Sequence, residues 1–343
     1  MLSTLFKLRI FIVFLLFVLL PVQASSAQIP GSKQIAAKAD EYLKASVKFD
    51  QFSGSVLVAK NGVPIFSRGY GQANIELNVP NTPNTVFKIA SLTKQFTALA
   101  VMQLQERGKL NVNDAICKYL DDCPAAWQPI TIRQLLTHTS GIPNFSSLPD
   151  WDEKLSIQPY EKLAFVKLFR DLPLQFAPGE NYRYSNPAYY LLGLIIEKAS
   201  GRSYQEFLRA NIFVPLGMKN TNFDNPYRLT PNLAKGYYWY LNSFVNAPYH
   251  TLSSSYSNGG LVSTTGDLLL WDQALYTDKL VSRQSLDEIF TPVKRNYGYG
   301  WIVEKKLDRK SMGHAGSFNG FSSFILRFPD KKITVIVLRN SDE

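Results

Sequence analysis

The chain has 343 residues, of which 45% are hydrophobic and 19% charged, a balance typical of globular proteins and unlike that of disordered, collagen-like or coiled-coil chains. Its formal net charge is +10, or about +8 without the two cations of the N-terminal segment, Lys7 and Arg9. A nucleic-acid or polyanion binder needs a focused basic stripe with stacking aromatics. The cations here are scattered, with pairs at 305–306, 309–310 and 331–332, so solvated surface charge is the favoured interpretation.

The first 27 residues have the pattern of a secretory signal peptide. Lys7 and Arg9 precede an apolar run over residues 10–20, and small residues at 22–27 offer cleavage sites. The apolar run is shorter than the roughly 20 residues of a membrane-spanning helix, which disfavours an uncleaved anchor. We therefore expect a secreted or periplasmic protein, with a mature domain over residues 28–343 and no stable membrane span after cleavage.

Two cysteines, Cys117 and Cys123, lie beyond this signal. Export permits a disulfide, which would close a short loop and add about 2 kcal/mol to stability, with two reduced thiols as the alternative. The chain has three histidines and no HExxH or CxxC pattern, so the sequence predicts neither a metal site nor a cofactor.

The first elements of the mature chain are predicted to form a β-hairpin. Apolar runs at 55–59 and 63–70 flank Asn61-Gly62, a strong turn signal. A helix is predicted from about Ser91 to Gly108, because apolar residues recur there every three or four positions. Helical and loop patterns continue to about residue 290.

Within that stretch, an apolar helix is predicted over 188–199, ended by Gly201, and Ser203 is placed to cap the next helix. Tyr256-Ser257-Asn258 precedes Gly259-Gly260 and is interpreted as a backbone turn. The chain then returns to extended patterns at 297–304, 322–328 and 333–338.

Strand patterns at both ends predict one mostly antiparallel sheet formed by the two ends of the chain, with a helical insert between them. The fold class is therefore α/β (α+β), with a ligand cleft between the sheet and the insert. The expected ranges are about 50–90 and 291–343 for the sheet part and about 91–290 for the α-rich insert.

Ser91-Leu92-Thr93-Lys94 is the first candidate for catalysis. A serine hydroxyl needs a base to become a nucleophile. A spacing of three residues on a helix places the lysine side chain beside that of the serine. A lysine acts as a base only when burial or a nearby positive charge lowers its pKa. About one such pair is expected by chance in a chain of this length, so a helix-capping Ser91 and a solvated Lys94 form the alternative.

Tyr-x-Asn is the second element, and it occurs at Tyr184–Asn186, Tyr240–Asn242 and Tyr256–Asn258. The first copy follows Pro178-Gly179-Glu180 and precedes the apolar helix, a context that presents short side chains into a cleft. Tyr184 and Asn186 are therefore the chosen pair. For any of these tyrosines, a packed aromatic with a hydrogen-bonded hydroxyl is the structural alternative.

His314-Ala315-Gly316-Ser317 is the third element. Gly316 on a strand would let a substrate backbone approach closely. The N–H groups of Ser317 and Ser91 could together stabilise a developing oxyanion. A lone histidine is more often structural than catalytic, so His314 gains weight only from its place in the series.

These three motifs, in this order and at these separations, resemble the serine β-lactamase and penicillin-binding-protein superfamily. The closer likeness is to its class C branch, which includes β-lactamases, D-alanyl-D-alanine carboxypeptidases, D-aminopeptidases and esterases. Further stretches carry the likeness over about residues 52–338: Leu136-Thr137-His138-Thr139-Ser140-Gly141, Pro215-Leu216-Gly217-Met218, Gly259-Gly260-Leu261-Val262-Ser263-Thr264 and Tyr297-Gly298-Tyr299-Gly300-Trp301.

The resemblance implies roles for the catalytic residues. Ser91 is the acylated nucleophile, Lys94 assists its deprotonation, and Tyr184 transfers the proton to the leaving group and helps to activate water. Asn186 orients the substrate amide, and His314, Gly316 and Ser317 line the strand edge. His138 is expected to be a structural turn residue. The implied partner is a small-molecule or peptide substrate, which includes cell-wall peptides.

Two departures from the class C pattern limit the choice of substrate. Class C β-lactamases carry Lys-Thr-Gly where this chain has His-Ala-Gly, so His314 would attract a carboxylate weakly and Ala315 offers it no hydroxyl. The chain also stops at Glu343, before the final helix that is usual in this superfamily, so that helix is expected to be missing. The expected activity is hydrolysis of D-amino-acid peptides or esters. A class C-type β-lactamase and a non-catalytic cell-wall-binding relative are the alternatives.

Overall fold

The computed structural model describes residues 31–49 and 52–342. The predicted signal peptide, residues 1–27, lies outside these ranges. Within the described residues no helix is both long and apolar enough to cross a membrane. The helices are α1 (Ser32–Lys48), α2 (Thr93–Glu106), α3 (Ile132–Leu136), α4 (Lys162–Arg170), α5 (Asn186–Ser200), α6 (Tyr204–Leu208), α7 (Val214–Leu216), α8 (Tyr256–Gly259), α9 (Thr265–Ala274) and α10 (Arg283–Ile289).

Strands occur near both ends of the chain and, in shorter pieces, between them. They are β1 (Gly54–Lys60), β2 (Val63–Tyr70), β3 (Gln72–Asn74), β4 (Val79–Pro80), β5 (Phe87–Lys88), β6 (Asn222–Phe223), β7 (Tyr237–Tyr240), β8 (Ser243–Asn246), β9 (Leu261–Ser263), β10 (Ile302–Lys306), β11 (Arg309–Phe318), β12 (Phe321–Phe328), β13 (Ile333–Arg339) and β14 (Ser341–Asp342).

Within the described residues, six strands form the central sheet in the order β10-β11-β12-β13-β1-β2. Neighbouring strands are antiparallel, and the two ends of the chain meet where β1 pairs with β13, with Gly54 opposite Arg339 and Val58 opposite Val335. The predicted hairpin is confirmed as β1 and β2, with Asn61 and Gly62 at positive φ in the turn. The predicted fold class and the pairing of the two ends are both confirmed.

Helices cover both faces of this sheet. On one face, Leu43 of α1 packs against Phe52, Val56 and Phe66 in a small apolar cluster. On the other face lies the main core, where α9 is joined to the sheet by a buried ion pair between Asp272 and Arg327 at 2.8 Å. The sheet is therefore fixed on both sides near its middle.

One predicted strand is placed differently. The extended pattern at 297–304 becomes a turn followed by β10, which begins only at Ile302. Tyr297, Tyr299 and Trp301 alternate with glycines in the sequence, and all three side chains are buried. Gly300 has φ +75°, and a Cβ there would lie 2.8 Å from the Lys94 carbonyl oxygen, so the glycine permits close backbone packing behind the site.

The helical stretch follows its sequence signals more closely. The helix predicted over 188–199 is α5, which ends at Gly201 with φ +70°. Ser203 caps α6 in a capping box with Glu206, as predicted. The segment at 256–260, predicted to be a turn, contains the one-turn helix α8. Short strands that the sequence did not indicate, β6 to β9, also lie in this part of the chain.

Candidate active site

Ser91 lies in a sharp connection between a strand and a helix. Strand β5 pairs with β9, and the Ile89 N–H continues this pairing with a 3.0 Å hydrogen bond to the Leu261 carbonyl. The chain then turns at Ala90, whose φ of +45° is unusual for a residue with a Cβ, into a 3-10 turn that leads to α2. The turn places Ser91 just before α2, at the strand-to-helix connection that the sequence predicted. The residue is half-buried there.

Lys94 is completely buried beside the serine, which rules out the solvated lysine. Its Nζ lies 3.0 Å from Ser91 Oγ, 2.8 Å from Asn186 Oδ1 and 2.7 Å from the Asn258 carbonyl oxygen. Burial holds the pKa of Lys94 well below its ordinary value of 10.5. A neutral amine can donate both hydrogens to the two asparagines, which leaves its lone pair to accept the Ser91 proton.

Tyr184 contacts the same serine from the other side. Its hydroxyl lies 2.9 Å from Ser91 Oγ, and its ring centroid is 4.9 Å from Lys94 Nζ. Burial raises the pKa of Tyr184, so the phenol stays protonated at neutral pH. The tyrosine is extended just before α5, where the Ser185 hydroxyl caps the helix by accepting the Ala188 N–H.

His138 supports the Tyr184 segment from behind. It is fully buried, its φ is +56°, and its ring centroid lies 4.3 Å from that of Tyr184. Its Nδ1 accepts the Ser185 N–H at 3.1 Å, and its carbonyl accepts the Arg183 N–H at 3.0 Å. Burial lowers its pKa well below the ordinary value of 6.5. These contacts agree with the predicted structural role of His138.

The second Tyr-Ser-Asn segment also reaches Lys94, through a backbone atom. Helix α2 binds the segment along one face: Thr97 Oγ1 donates to the Ser257 carbonyl at 2.6 Å, and Lys94 donates to that of Asn258. Sequence reasoning missed Asn258, because a carbonyl group has no side-chain signature. The third copy, at Tyr240–Asn242, lies on the exposed hairpin of β7 and β8, outside the site.

His314 lies on β11 across the cleft from Tyr184, with ring centroids 6.2 Å apart. Its Nδ1 donates to the Ala315 carbonyl at 2.5 Å, which leaves Nε2 to accept the Tyr297 hydroxyl at 2.9 Å. Burial lowers the pKa of His314 to about 4. The imidazole is therefore neutral at pH 7, and both of its nitrogens have partners within the protein.

Gly316 brings the β11 edge against the turn that holds Ser91. A Cβ at this position would lie 2.6 Å from the Ile89 carbonyl oxygen and 2.9 Å from the Ser91 nitrogen. The close approach expected at Gly316 is thus to the backbone of the protein itself. Ser323 Oγ donates to the same Ile89 carbonyl at 2.8 Å, which fixes the turn against β12. Ser317 follows on the β11 edge, beside Ser91.

Two clefts meet at Ser91, and Asn186 and Ser317 also line both of them. The larger, of about 820 Å³, has Tyr182, Tyr184, Tyr297 and His314 in its wall. The smaller, of about 270 Å³, is lined by Asn258 and by the aromatic side chains of Phe145, Trp151, Tyr238 and Phe318. Every residue that the sequence placed in the site except Lys94 lines one or both clefts, and Lys94 lies directly beneath Ser91.

Among the described residues, no group of three or more His, Cys, Asp or Glu side chains could hold a metal ion. A third cleft, of about 870 Å³, lies between α1 and the outer sheet face, with Leu43, Phe49 and Val56 among its lining residues. It shares the lining residues Val337 and Arg339 with the larger of the two clefts that meet at Ser91.

The antiparallel sheet with its helical insert, and the buried Ser-Lys-Tyr cluster between them, define the class of protein as a serine hydrolase. Residues 40–343 match the family model described as Beta-lactamase, and the chain belongs to that family. It is 34% identical to penicillin-binding protein 4* of Bacillus subtilis (strain 168) over 316 residues, which cover 85% of this chain and 69% of the relative.

Solved structures show the same fold. A penicillin-binding protein from Bacillus halodurans is 29% identical, with a TM-score of 0.80, over 88% of this chain and 95% of the other. D-amino acid amidase from Ochrobactrum anthropi SV3, complexed with L-phenylalanine amide, is 25% identical, with a TM-score of 0.75, over 90% and 91% of the two chains. The predicted resemblance to the β-lactamase and penicillin-binding-protein superfamily is confirmed.

Proposed function

We propose that this serine hydrolase forms a covalent acyl-enzyme on Ser91 and hydrolyses D-amino-acid peptides or esters. The observation that carries the proposal is the position of Ser91 Oγ, 3.0 Å from Lys94 Nζ and 2.9 Å from the Tyr184 hydroxyl. Its two neighbours favour opposite protonation states, because burial disfavours both the lysine cation and the tyrosine anion. One group can accept a proton while the other can donate one.

Acylation then follows from this geometry. Lys94 Nζ takes the proton of Ser91 as Oγ attacks the substrate carbonyl carbon, and a tetrahedral oxyanion forms. The bond to the leaving group breaks as the Tyr184 hydroxyl gives that group a proton, and the proton held by Lys94 replaces the one that Tyr184 lost. In sum, one proton moves from Ser91 to the leaving group, and an ester bond joins Ser91 to the acyl group.

Deacylation uses the same groups with water as the nucleophile. Tyr184 takes a proton from the attacking water as it passes its own proton to Lys94, and Lys94 returns a proton to Ser91 Oγ as the ester bond breaks. The backbone N–H groups of Ser91 and Ser317 are our candidates for the oxyanion hole, since Gly316 packs against the Ser91 nitrogen. Asn186, whose Oδ1 is held by Lys94, is placed to orient the substrate with its Nδ2.

His314 supports peptides or esters over β-lactams as substrates. It is neutral, and both of its ring nitrogens have internal partners, so it offers no cation to the carboxylate of a β-lactam. The neighbouring Ala315 adds no hydroxyl. A non-catalytic binding protein is disfavoured because Ser91, Lys94 and Tyr184 are all present and in mutual contact.

The proposal also includes the compartment in which the enzyme works. Residues 1–27 have the pattern of an export signal, which would deliver the enzyme outside the cytoplasm, secreted or in the periplasm. Cell-wall peptides, which contain D-amino acids, are the natural candidates for a substrate there. Mass spectrometry of the secreted protein tests this, since an intact N-terminus would contradict cleavage.

A turnover panel tests the substrate class. It compares D-Ala-D-Ala peptides, D-aminoacyl amides, short-chain esters and a chromogenic cephalosporin, with Ser91→Ala as the control for every substrate. We expect a peptide, amide or ester to have a kcat/KM at least about tenfold above that of the cephalosporin. A cephalosporin that ranks first would favour the β-lactamase, and a panel without turnover would favour a binding protein.

A further inference from the structure

The side chain of Asn258 is a buried polar group in the wall of the smaller cleft. The residue is only 6% exposed, and its Oδ1 has no hydrogen-bond partner among the described residues. Buried amide oxygens in folded proteins nearly always have a partner, because leaving one unpaired costs stability. Because Asn258 lines the cleft that also contains Ser91, a bound substrate can supply this partner.

The backbone of Asn258 is held in place independently of this side chain. Its carbonyl accepts from Lys94 at 2.7 Å, and the preceding carbonyl of Ser257 accepts from Thr97 at 2.6 Å. The Ser257 hydroxyl also donates to the Tyr189 carbonyl of α5 at 2.9 Å. The carboxamide is therefore presented from a rigid turn, which a group that recognises substrate requires.

The position of Tyr184 assigns the two clefts to the two parts of a substrate. This step rests on the proposed function, in which Tyr184 protonates the leaving group. Tyr184 lines the larger cleft, so the leaving group is placed there. The acyl group then extends from Ser91 into the smaller cleft, whose wall contains Asn258 and the aromatic rings of Phe145 and Trp151.

We propose that Asn258 is a specificity-determining residue whose carboxamide binds a secondary amide in the acyl group of the substrate. Oδ1 accepts the N–H of that amide, which gives the unpaired Asn258 oxygen its hydrogen-bond partner. The flat amide lies between aromatic walls. The preferred acyl donors are then N-acylated aminoacyl or peptidyl groups, and simple carboxylic esters are poorer.

A matched pair of thioesters tests this assignment. The S-ethyl thioesters of N-acetylglycine and of 4-oxopentanoic acid share the leaving group, the length and the second carbonyl, and differ only in N–H against CH₂. We expect the wild-type enzyme to prefer the N-acetylglycyl thioester by about tenfold or more in kcat/KM. In Asn258→Ala this ratio should fall to about one. The matched control Asn242→Gly removes a carboxamide from the exposed Tyr-x-Asn copy, at a φ of +62° that glycine tolerates, and should keep the wild-type ratio.

Three outcomes of the thioester comparison would overturn the role proposed for Asn258. An unchanged ratio in Asn258→Ala, with both thioesters slowed equally, would show that the carboxamide only supports Lys94 and would overturn the proposal. If that variant does not fold, a wild-type ratio below about two overturns the proposal by itself. Wild-type enzyme that is labelled at Ser91 by a fluorophosphonate but hydrolyses neither thioester also overturns it. Unlabelled Ser91 would instead contradict the proposed function.

Discussion

The tripeptide Tyr-Ser-Asn occurs twice near the nucleophile, at 184–186 and at 256–258, and the two copies contact Lys94 through different atoms. The first copy contributes the Asn186 side chain to Nζ and the Tyr184 hydroxyl to Ser91. The second contributes the Asn258 backbone carbonyl. Its tyrosine, Tyr256, packs against Tyr190 and Tyr204, with ring centroids 5.1 and 5.2 Å away.

Backbone conformation accounts for the difference. The first copy is extended up to Ser185, the N-cap of α5, so Tyr184 points towards Ser91 while the helix begins after it. The second copy is a helical turn, which directs its carbonyl along the helix axis towards Lys94 and leaves its tyrosine in the core. The same three residues therefore supply side-chain chemistry in one place and a fixed hydrogen-bond acceptor in the other.

The largest effect is expected from removing Lys94, the group that both copies contact. In Lys94→Met the serine loses its base, so we expect kcat/KM for the preferred substrate to fall about 10³-fold or more. Lys94→Arg should be as inactive, because a guanidinium stays protonated. Steady-state kinetics, with circular dichroism to confirm folding, provides the measurement. Activity within tenfold of wild type in either variant would remove Lys94 from the mechanism.

Paired tyrosine substitutions compare the two copies directly. Tyr184→Phe removes the proton donor and should lower kcat by about 10²- to 10³-fold. Tyr256→Phe is the matched control, and its kcat should stay within about threefold of wild type because Tyr256 packs in the core away from Ser91. If Tyr256→Phe proved the more damaging change, the roles assigned to the two copies would be reversed.

His314, which lies across the cleft from Tyr184, is expected to make the stability of the protein depend on pH. The pKa of His314 falls from 6.5 in the unfolded chain to about 4 in the folded protein, so the unfolded state binds the proton more readily between these values. The free energy of unfolding should then decrease by about 3 kcal/mol from this residue as the pH falls from 6.5 to 4.

Urea unfolding at several pH values compares wild type with His314→Gln, which has no group that titrates there. We expect a flatter pH dependence in the variant. Parallel curves for the two proteins would show that His314 is not the buried neutral imidazole described above.

The smallest effect is expected far from both copies. Cys117 and Cys123 form a disulfide that closes a short loop, as the sequence favoured. The double substitution Cys117→Ser with Cys123→Ser should lower the free energy of unfolding by about 2 kcal/mol through loop entropy. Because the loop does not line the clefts at Ser91, kcat should be unchanged, and a large loss of activity at a temperature where the variant is folded would contradict this separation.

Local geometry made part of the site predictable from sequence. Ser91 and Lys94 are three residues apart at the start of a helix, so their contact follows from the helical rise alone. The hairpin of β1 and β2 followed from the two apolar runs that flank Asn61-Gly62. The left-handed Gly201 ends α5, and Ser203 caps α6, as the pattern indicated.

Contacts that join distant backbone were not predictable in this way. Asn258 meets Lys94 across 164 residues through a carbonyl that every residue carries. The pattern at 297–304 indicated a strand, but Tyr297 lies in the turn before β10. Its side chain is buried, and its hydroxyl binds His314. The neutral state of His314 also depends on tertiary burial, which composition does not reveal.

Covalent labelling of the mature protein by a fluorophosphonate, followed by peptide mass spectrometry, tests directly whether Ser91 is the nucleophile. We predict one adduct, on Ser91, which disappears in Ser91→Ala and forms more slowly in Lys94→Met. A folded protein without an adduct, or with its adduct on another serine, would contradict the assignment of Ser91 as the nucleophile.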